Sequence, residues 1–146
     1  MKDVKFPMRL DLSELCASSL KEKFKPMVAQ IRDFENKLSL TNNESSIKIL
    51  TKRQDNGVIS LPEQKLGPGD SGSGIYQLIA VLTHEGRTTS SGHYVAWVRF
   101  EPKKWAKMDD ATVSLVEEND ILKLSGGGES HCAYLLIYQT FKVPKI

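Results

Sequence analysis

Apolar and polar residues alternate along this chain in two rhythms, one helical and one of strands. Leu20, Phe24, Met27, Val28, Ile31, Phe34 and Leu38 recur at a period of about 3.6 residues, which predicts one amphipathic helix with a single apolar stripe. Ser19 and Glu22 have the spacing of a capping box at its start. Pro26 lacks a backbone donor, so a kink or early break is expected there. Before the helix, Phe6 to Leu12 alternates as a short strand, with Pro7 confining it to a strand start or an edge.

From Ile75 onward the rhythm is that of strands. Residues 75–84 (IYQLIAVLTH) read as one strand that His84 closes, with a loop over 85–92. Residues 93–100 (HYVAWVRF) are apolar on both faces, as expected of a central strand. Residues 104–110 and 111–117 read as two shorter strands, and Glu117 to Leu124 as a short helix. Gly126-Gly127-Gly128 is a loop, and residues 132–140 (CAYLLIYQT) a last, well-buried strand. Between helix and strands, residues 39–74 crowd Asn, Ser, Gly and Pro and read as a flexible insertion. One helix followed by a mostly antiparallel sheet is an α+β pattern.

Composition narrows the function classes. The 146 residues hold 20 Lys and Arg against 18 Asp and Glu, a net charge of +2, with 40% hydrophobic residues. That suits one globular domain and gives no basic surface for nucleic acid. No stretch reaches the ~18 apolar residues of a membrane span, and Asp3, Lys5 and Arg9 interrupt the N-terminal segment, so neither a membrane anchor nor a signal peptide is expected. Two cysteines, Cys16 and Cys132, are too few for a disulfide scaffold or a cysteine-based zinc site. They point to a reducing compartment, cytoplasm or nucleus.

The candidate chemistry lies with the three histidines. His93 opens a strong strand after Ser90-Ser91-Gly92, where it can face a cleft. His84 lies near the same end of the expected hairpin, and His131 between the glycine loop and the last strand. Any of these alone reads as an ordinary hydrogen-bonded histidine at a strand end. Asp109 and Asp110 follow the strand WAKM, where a carboxylate can orient an imidazole, or simply make an acidic turn. His and Asp are two parts of a nucleophilic triad. Cys16 and Cys132 read as packed residues rather than the third part.

Several motifs in series carry a resemblance. Gly92-His93-Tyr94, then Trp105-Ala106-Lys107-Met108-Asp109-Asp110, then Val113-Ser114-Leu115-Val116, then Ala133 to Tyr138 resemble the C-terminal part of a ubiquitin-specific protease. Residues 4–38 share the resemblance. The loops at 86–92 and 124–128 are similar to those of the family's proteasome-associated branch. The resemblance implies a partial papain-like cysteine protease fold, with a palm sheet over 75–140. It implies a thiol protease that hydrolyses the isopeptide bond after the ubiquitin C-terminal glycine, with no cofactor or metal. His93 would be the general base, Asp109 its partner and Asp110 an auxiliary. Gly86, Arg87, Thr88, Thr89, Ser90, Ser91, Gly92 and Tyr94 would form a blocking loop over the ubiquitin-tail groove, with Gly126, Gly127 and Gly128 beside it. Ubiquitin, ubiquitinated proteins and the proteasome are the implied partners. The family's cysteine box and its oxyanion-stabilising Asn have no counterpart here. The chain is therefore expected to be part of a longer catalytic domain and inactive alone; a non-catalytic ubiquitin-binding pseudoenzyme or regulatory fragment is the alternative.

Overall fold

A computed structural model describes residues 3–40, 72–88, 91–126 and 132–141. Nearly all of the expected insertion at 39–74 lies outside them, as do Thr89, Ser90, Gly127, Gly128 and His131. The chain divides into two compact units. One comprises Met1–Leu10 with Gln77–Gln139, the other Asp11–Tyr76 with Thr140–Ile146.

The second unit is organised by α1, Ser18–Leu40. Phe24, Met27, Ile31 and Phe34 of the predicted stripe are buried and cluster with Ile75, with Val28 and Phe141 packed against them. Two expectations are corrected. The helix starts earlier: Leu20 and Lys21 donate to the carbonyl of Ala17, so Ala17 caps the helix and Ser19 lies inside it. Of the kink or early break expected at Pro26, the break does not occur, and the helix continues to Leu40. Proline there removes the bond to the Glu22 carbonyl, at a cost of about 3 kcal/mol. Burial of four large apolar side chains, each contributing about 1.5–3 kcal/mol, outweighs that cost. Ahead of the helix, Asp11 Oδ1 accepts from Ser13 N at 2.8 Å and starts a short 3-10 turn, Ser13–Leu15.

A six-stranded sheet has the order β1-β2-β3-β4-β5, with β6 also paired to β2. The strands are β1 Arg9–Asp11, β2 Ile75–Thr88, β3 Ser91–Glu101, β4 Lys104–Asp109, β5 Thr112–Glu117 and β6 Cys132–Thr140. Strands β2 to β5 form an antiparallel meander with β3 in the middle of the order, as its two apolar faces predicted. Val81, Thr83, Val95, Trp97 and Trp105 share one face through the registers Val81↔Trp97, Thr83↔Val95 and Arg99↔Trp105, and all five are buried. Phe6, Ile121 and Leu124 join the same core. Ile121 comes from α2, Glu118–Leu122, whose start is closed by reciprocal Glu117–Asp120 capping. Thr83 is a buried polar residue, and both its bonds are made. Its hydroxyl donates to the Val95 carbonyl at 3.2 Å and accepts from the Trp97 indole at 3.1 Å.

Two strand expectations are corrected as well. His84 does not close β2, which continues to Thr88 and pairs with β3 again through Glu85↔His93 and Thr88↔Ser91. Between those pairs Gly86 and Arg87 stand opposite Gly92 alone, the two-against-one count of a β-bulge. Most of the expected loop at 85–92 is therefore bulged ladder. Strand β6 is not well buried either: Tyr134, Leu135 and Ile137 are exposed. Among the described residues, no helix is long and apolar enough to cross a membrane.

Candidate active site

Antiparallel pairing delivers the central contact. The register Ala96↔Met108 continues to place Val95 across from Asp109, with His93 two residues further along the same face. His93 and Asp109, 16 residues apart in sequence, thus meet on one face at one end of the sheet, with Nε2 and Oδ1 2.5 Å apart. Their side chains are 41% and 29% exposed, so the pair is open to a reactant on one side. Lys107, two residues before Asp109 on the same strand face, places Nζ 2.9 Å from Asp109 Oδ2. The Lys107 bond foremost, then the His93 bond, holds the Asp109 carboxyl below the usual carboxylate range, against a smaller opposing effect of desolvation.

These facts fix the tautomer. An ionised carboxylate only accepts, so the hydrogen of the pair sits on His93 Nε2. A neutral ring then carries its lone pair on Nδ1, the nitrogen able to take a proton from a reactant.

Asp110 follows in the turn to β5, with φ 50, a conformation that Asp tolerates better than most residues. His93, Asp109 and Asp110 each offer one ligand atom, all within 4.8 Å of one another. Two carboxylates and an imidazole are ligand types that divalent cations take. Asp109 gives one oxygen to His93 and the other to the Lys107 ammonium. As it stands, the group is a hydrogen-bonded pair beside a third acid.

The remaining sequence candidates distribute unevenly. Gly86, Ser91 and Gly92 lie at the bulged end of the β2–β3 hairpin, beside His93. A Cβ at Gly92 would stand 2.5 Å from the Glu85 carbonyl oxygen and would also meet His84 Nε2, so no side chain fits there. Arg87 and Thr88 are in β2. Tyr94 alternates to the opposite face from His93 and packs on His84, with ring centroids 4.5 Å apart. Gly126 ends the turn Lys123–Ser125 with φ 101. Both cysteines are half-buried. Cys16 donates to the Leu12 carbonyl at 3.3 Å, and Cys132 opens β6 rather than lying within the core. Sequence reasoning overlooked Lys107 as a member of the site. Its signal is the alternation that puts residues 107 and 109 on one face.

Comparison with known proteins assigns this chain to a family. The family model for ubiquitin carboxyl-terminal hydrolase matches residues 1–138. Ubiquitin carboxyl-terminal hydrolase 7 of Arabidopsis thaliana is 40% identical over 152 residues, covering 95% of this chain and 31% of that protein. Ubiquitin carboxyl-terminal hydrolase 14 of Caenorhabditis elegans is 41% identical over 145 residues, covering 95% of this chain and 29% of that protein. Among solved structures, the SAGA DUB module bound to ubiquitin aldehyde is 35% identical, covering 47% of this chain and 13% of that chain, with a TM-score of 0.39. This chain spans a little under a third of the length of the two curated relatives. It belongs to the ubiquitin carboxyl-terminal hydrolase family.

Proposed function

We propose that this chain supplies the histidine and aspartate of a thiol-dependent deubiquitinase with a partial papain-like fold, the nucleophilic cysteine coming from outside these residues. The observation that carries the reading is the 2.5 Å contact from His93 Nε2 to Asp109 Oδ1, which leaves the ring's basic lone pair on Nδ1. In this reading Nδ1 takes the thiol proton, and the thiolate attacks the carbonyl carbon of the ubiquitin C-terminal glycine. The C–N bond to the substrate lysine breaks as Nδ1–H protonates the leaving amine. The resulting thioester is hydrolysed by a water that the same nitrogen deprotonates. Ionised Asp109 stabilises the imidazolium between these steps, and Asp110 is an auxiliary.

The hairpin end at 86–92 and Gly126 to Gly128 would border the groove for the ubiquitin tail. Ubiquitin and ubiquitinated proteins are the substrates of this proposal. The resemblance of the two glycine-containing loops extends it to the proteasome as a partner, in cytoplasm and nucleus.

The test is turnover of a fluorogenic amide of the ubiquitin C-terminus by the full-length protein. His93→Ala and Asp109→Asn are expected to lower kcat by roughly 10²- to 10⁴-fold, with ubiquitin binding retained. Near-normal turnover by His93→Ala overturns the reading. Ubiquitin binding without turnover by the unmodified full-length protein favours the non-catalytic alternative.

A further inference from the structure

We infer that Lys107 is a positioning residue for the His93–Asp109 pair, an ammonium braced on Trp97 that fixes which carboxylate oxygen faces the imidazole. The inference rests on the proposed thiol-protease reading and deepens it.

The brace starts in the core. The Trp97 side chain is nearly buried, and its orientation is set by the bond to Thr83, itself bonded to the Val95 carbonyl. Trp97 and Lys107 are direct cross-strand partners, so their side chains leave the same face of the sheet. The Lys107 ammonium lies 5.5 Å from the Trp97 ring centroid, within cation–π range. It then reaches Asp109 Oδ2 at 2.9 Å, while Oδ1 receives His93. An unbroken series of contacts thus joins the exposed imidazole to a buried tryptophan. An aspartate at a strand end, 29% exposed, would otherwise be able to turn its carboxylate toward water.

Charge adds a second consequence. Among the described residues, the groups facing this end of the sheet are Glu85 on β2, His93 on β3, Lys107 and Asp109 on β4, and Asp110 in the turn. Three are carboxylates, and each favours the imidazolium. Lys107 offsets part of that field. Removing the cation should raise the pH at which the ring loses its proton.

The experiment compares Lys107→Met, which keeps the apolar stem, with Lys107→Arg in the full-length protein. Lys107→Met is expected to lower kcat by roughly ten- to a hundredfold, with KM for the ubiquitin amide nearly unchanged. Its kcat/KM profile is expected to have an acid limb displaced to higher pH. Lys107→Arg, still cationic and able to stack on Trp97, should restore most of kcat and the original limb. An unchanged kcat and limb in Lys107→Met overturns the inference. So does a loss that arginine fails to rescue and that leaves the limb in place, because that is a merely structural effect. NMR titration of the His93 ring in the same variants decides the matter without turnover. An upward displacement in Lys107→Met supports the brace, and coincident titrations refute it. If His93→Ala retains turnover, the functional reading fails, and the titration still decides the Lys107 contact.

Discussion

The two faces of the β2–β5 meander are both rich in apolar side chains, yet only one is a core. On the first, Val95 and Trp105 are each 0% exposed. On the second, Phe100, Met108, Val113 and Leu115 are 42–75% exposed. The strands and registers are the same, so strand propensity does not separate the faces. What separates them is cover. Phe6, Ile121 and Leu124 come from outside the meander and cluster with the first face, where Trp105 is sealed. The site grows out of this covered face: His93, Lys107 and Asp109 continue it past the end of the core. The lesson is that the His93–Asp109 pair has a packed floor because the hydrophobic core runs up to it.

The hardest test of that contrast is Trp105→Ala. Truncating a fully buried tryptophan is expected to cost about 3–5 kcal/mol, read by hydrogen exchange of the β3 and β4 amides in the full-length protein. A cost under about 1 kcal/mol would mean that the first face is no more a core than the second. Next in size is Thr83→Val, nearly isosteric, which leaves the Trp97 indole N–H buried without an acceptor. About 1–3 kcal/mol is expected by the same readout, together with a weakened Lys107 brace. Wild-type exchange in that variant would show that the polar bonds inside the first face contribute nothing.

How much of this was legible in the sequence follows from what each element depends on. The stripe from Phe24 to Phe34 is a local property, and α1 formed over it. The break considered at Pro26 does not occur, because the proline penalty is local whereas the burial that outweighs it is not visible in a window of residues. The strands were legible from alternation, but apolar residues on both faces were equated with burial on both. Tyr134, Leu135 and Ile137 of β6 refute that for the last strand. The ladder beyond His84 was hidden because Gly86 and Gly92 signal a loop, while here they serve a bulge in which no side chain fits. The strand pattern left His93 and Asp109 as a possible pair or an acidic turn, and the family resemblance implied the pair, whose contact is present. Lys107 was not legible, since a lysine within a strand reads as solvated surface until the cross-strand partner, Trp97, is known.

A smaller effect is expected at the polar end of the first face. Asp109 has its carboxyl held below the ordinary range by Lys107 and then His93. A carboxylate lowered in the folded state stabilises that state at pH values above its unfolded pKa, about 3.9. The contribution fades as pH falls through the lower, folded value. Urea unfolding of the full-length protein and of Asp109→Asn should therefore differ near neutral pH, with the difference shrinking as the pH falls below the unfolded carboxylate value. A difference that persists unchanged into acid would assign the effect to packing rather than to the ionised carboxylate.

The smallest expected effect is on the second face. Leu115 is 75% exposed on β5, at the end of the strand order. Replacing it by serine removes little buried area, and exposed substitutions away from special features stay within about 0.5 kcal/mol. Serine also forgoes some strand propensity, a penalty bounded by about 1 kcal/mol across the whole scale. Exchange of the β4 and β5 amides should therefore barely change in Leu115→Ser, in contrast to Trp105→Ala. The comparison breaks in one informative way. A cost approaching that of Trp105→Ala in the full-length protein would mean that the second face is covered there as thoroughly as the first. The floor under His93 and Asp109 would then be one wall of a sheet sealed on both sides, and its packing would come from both layers.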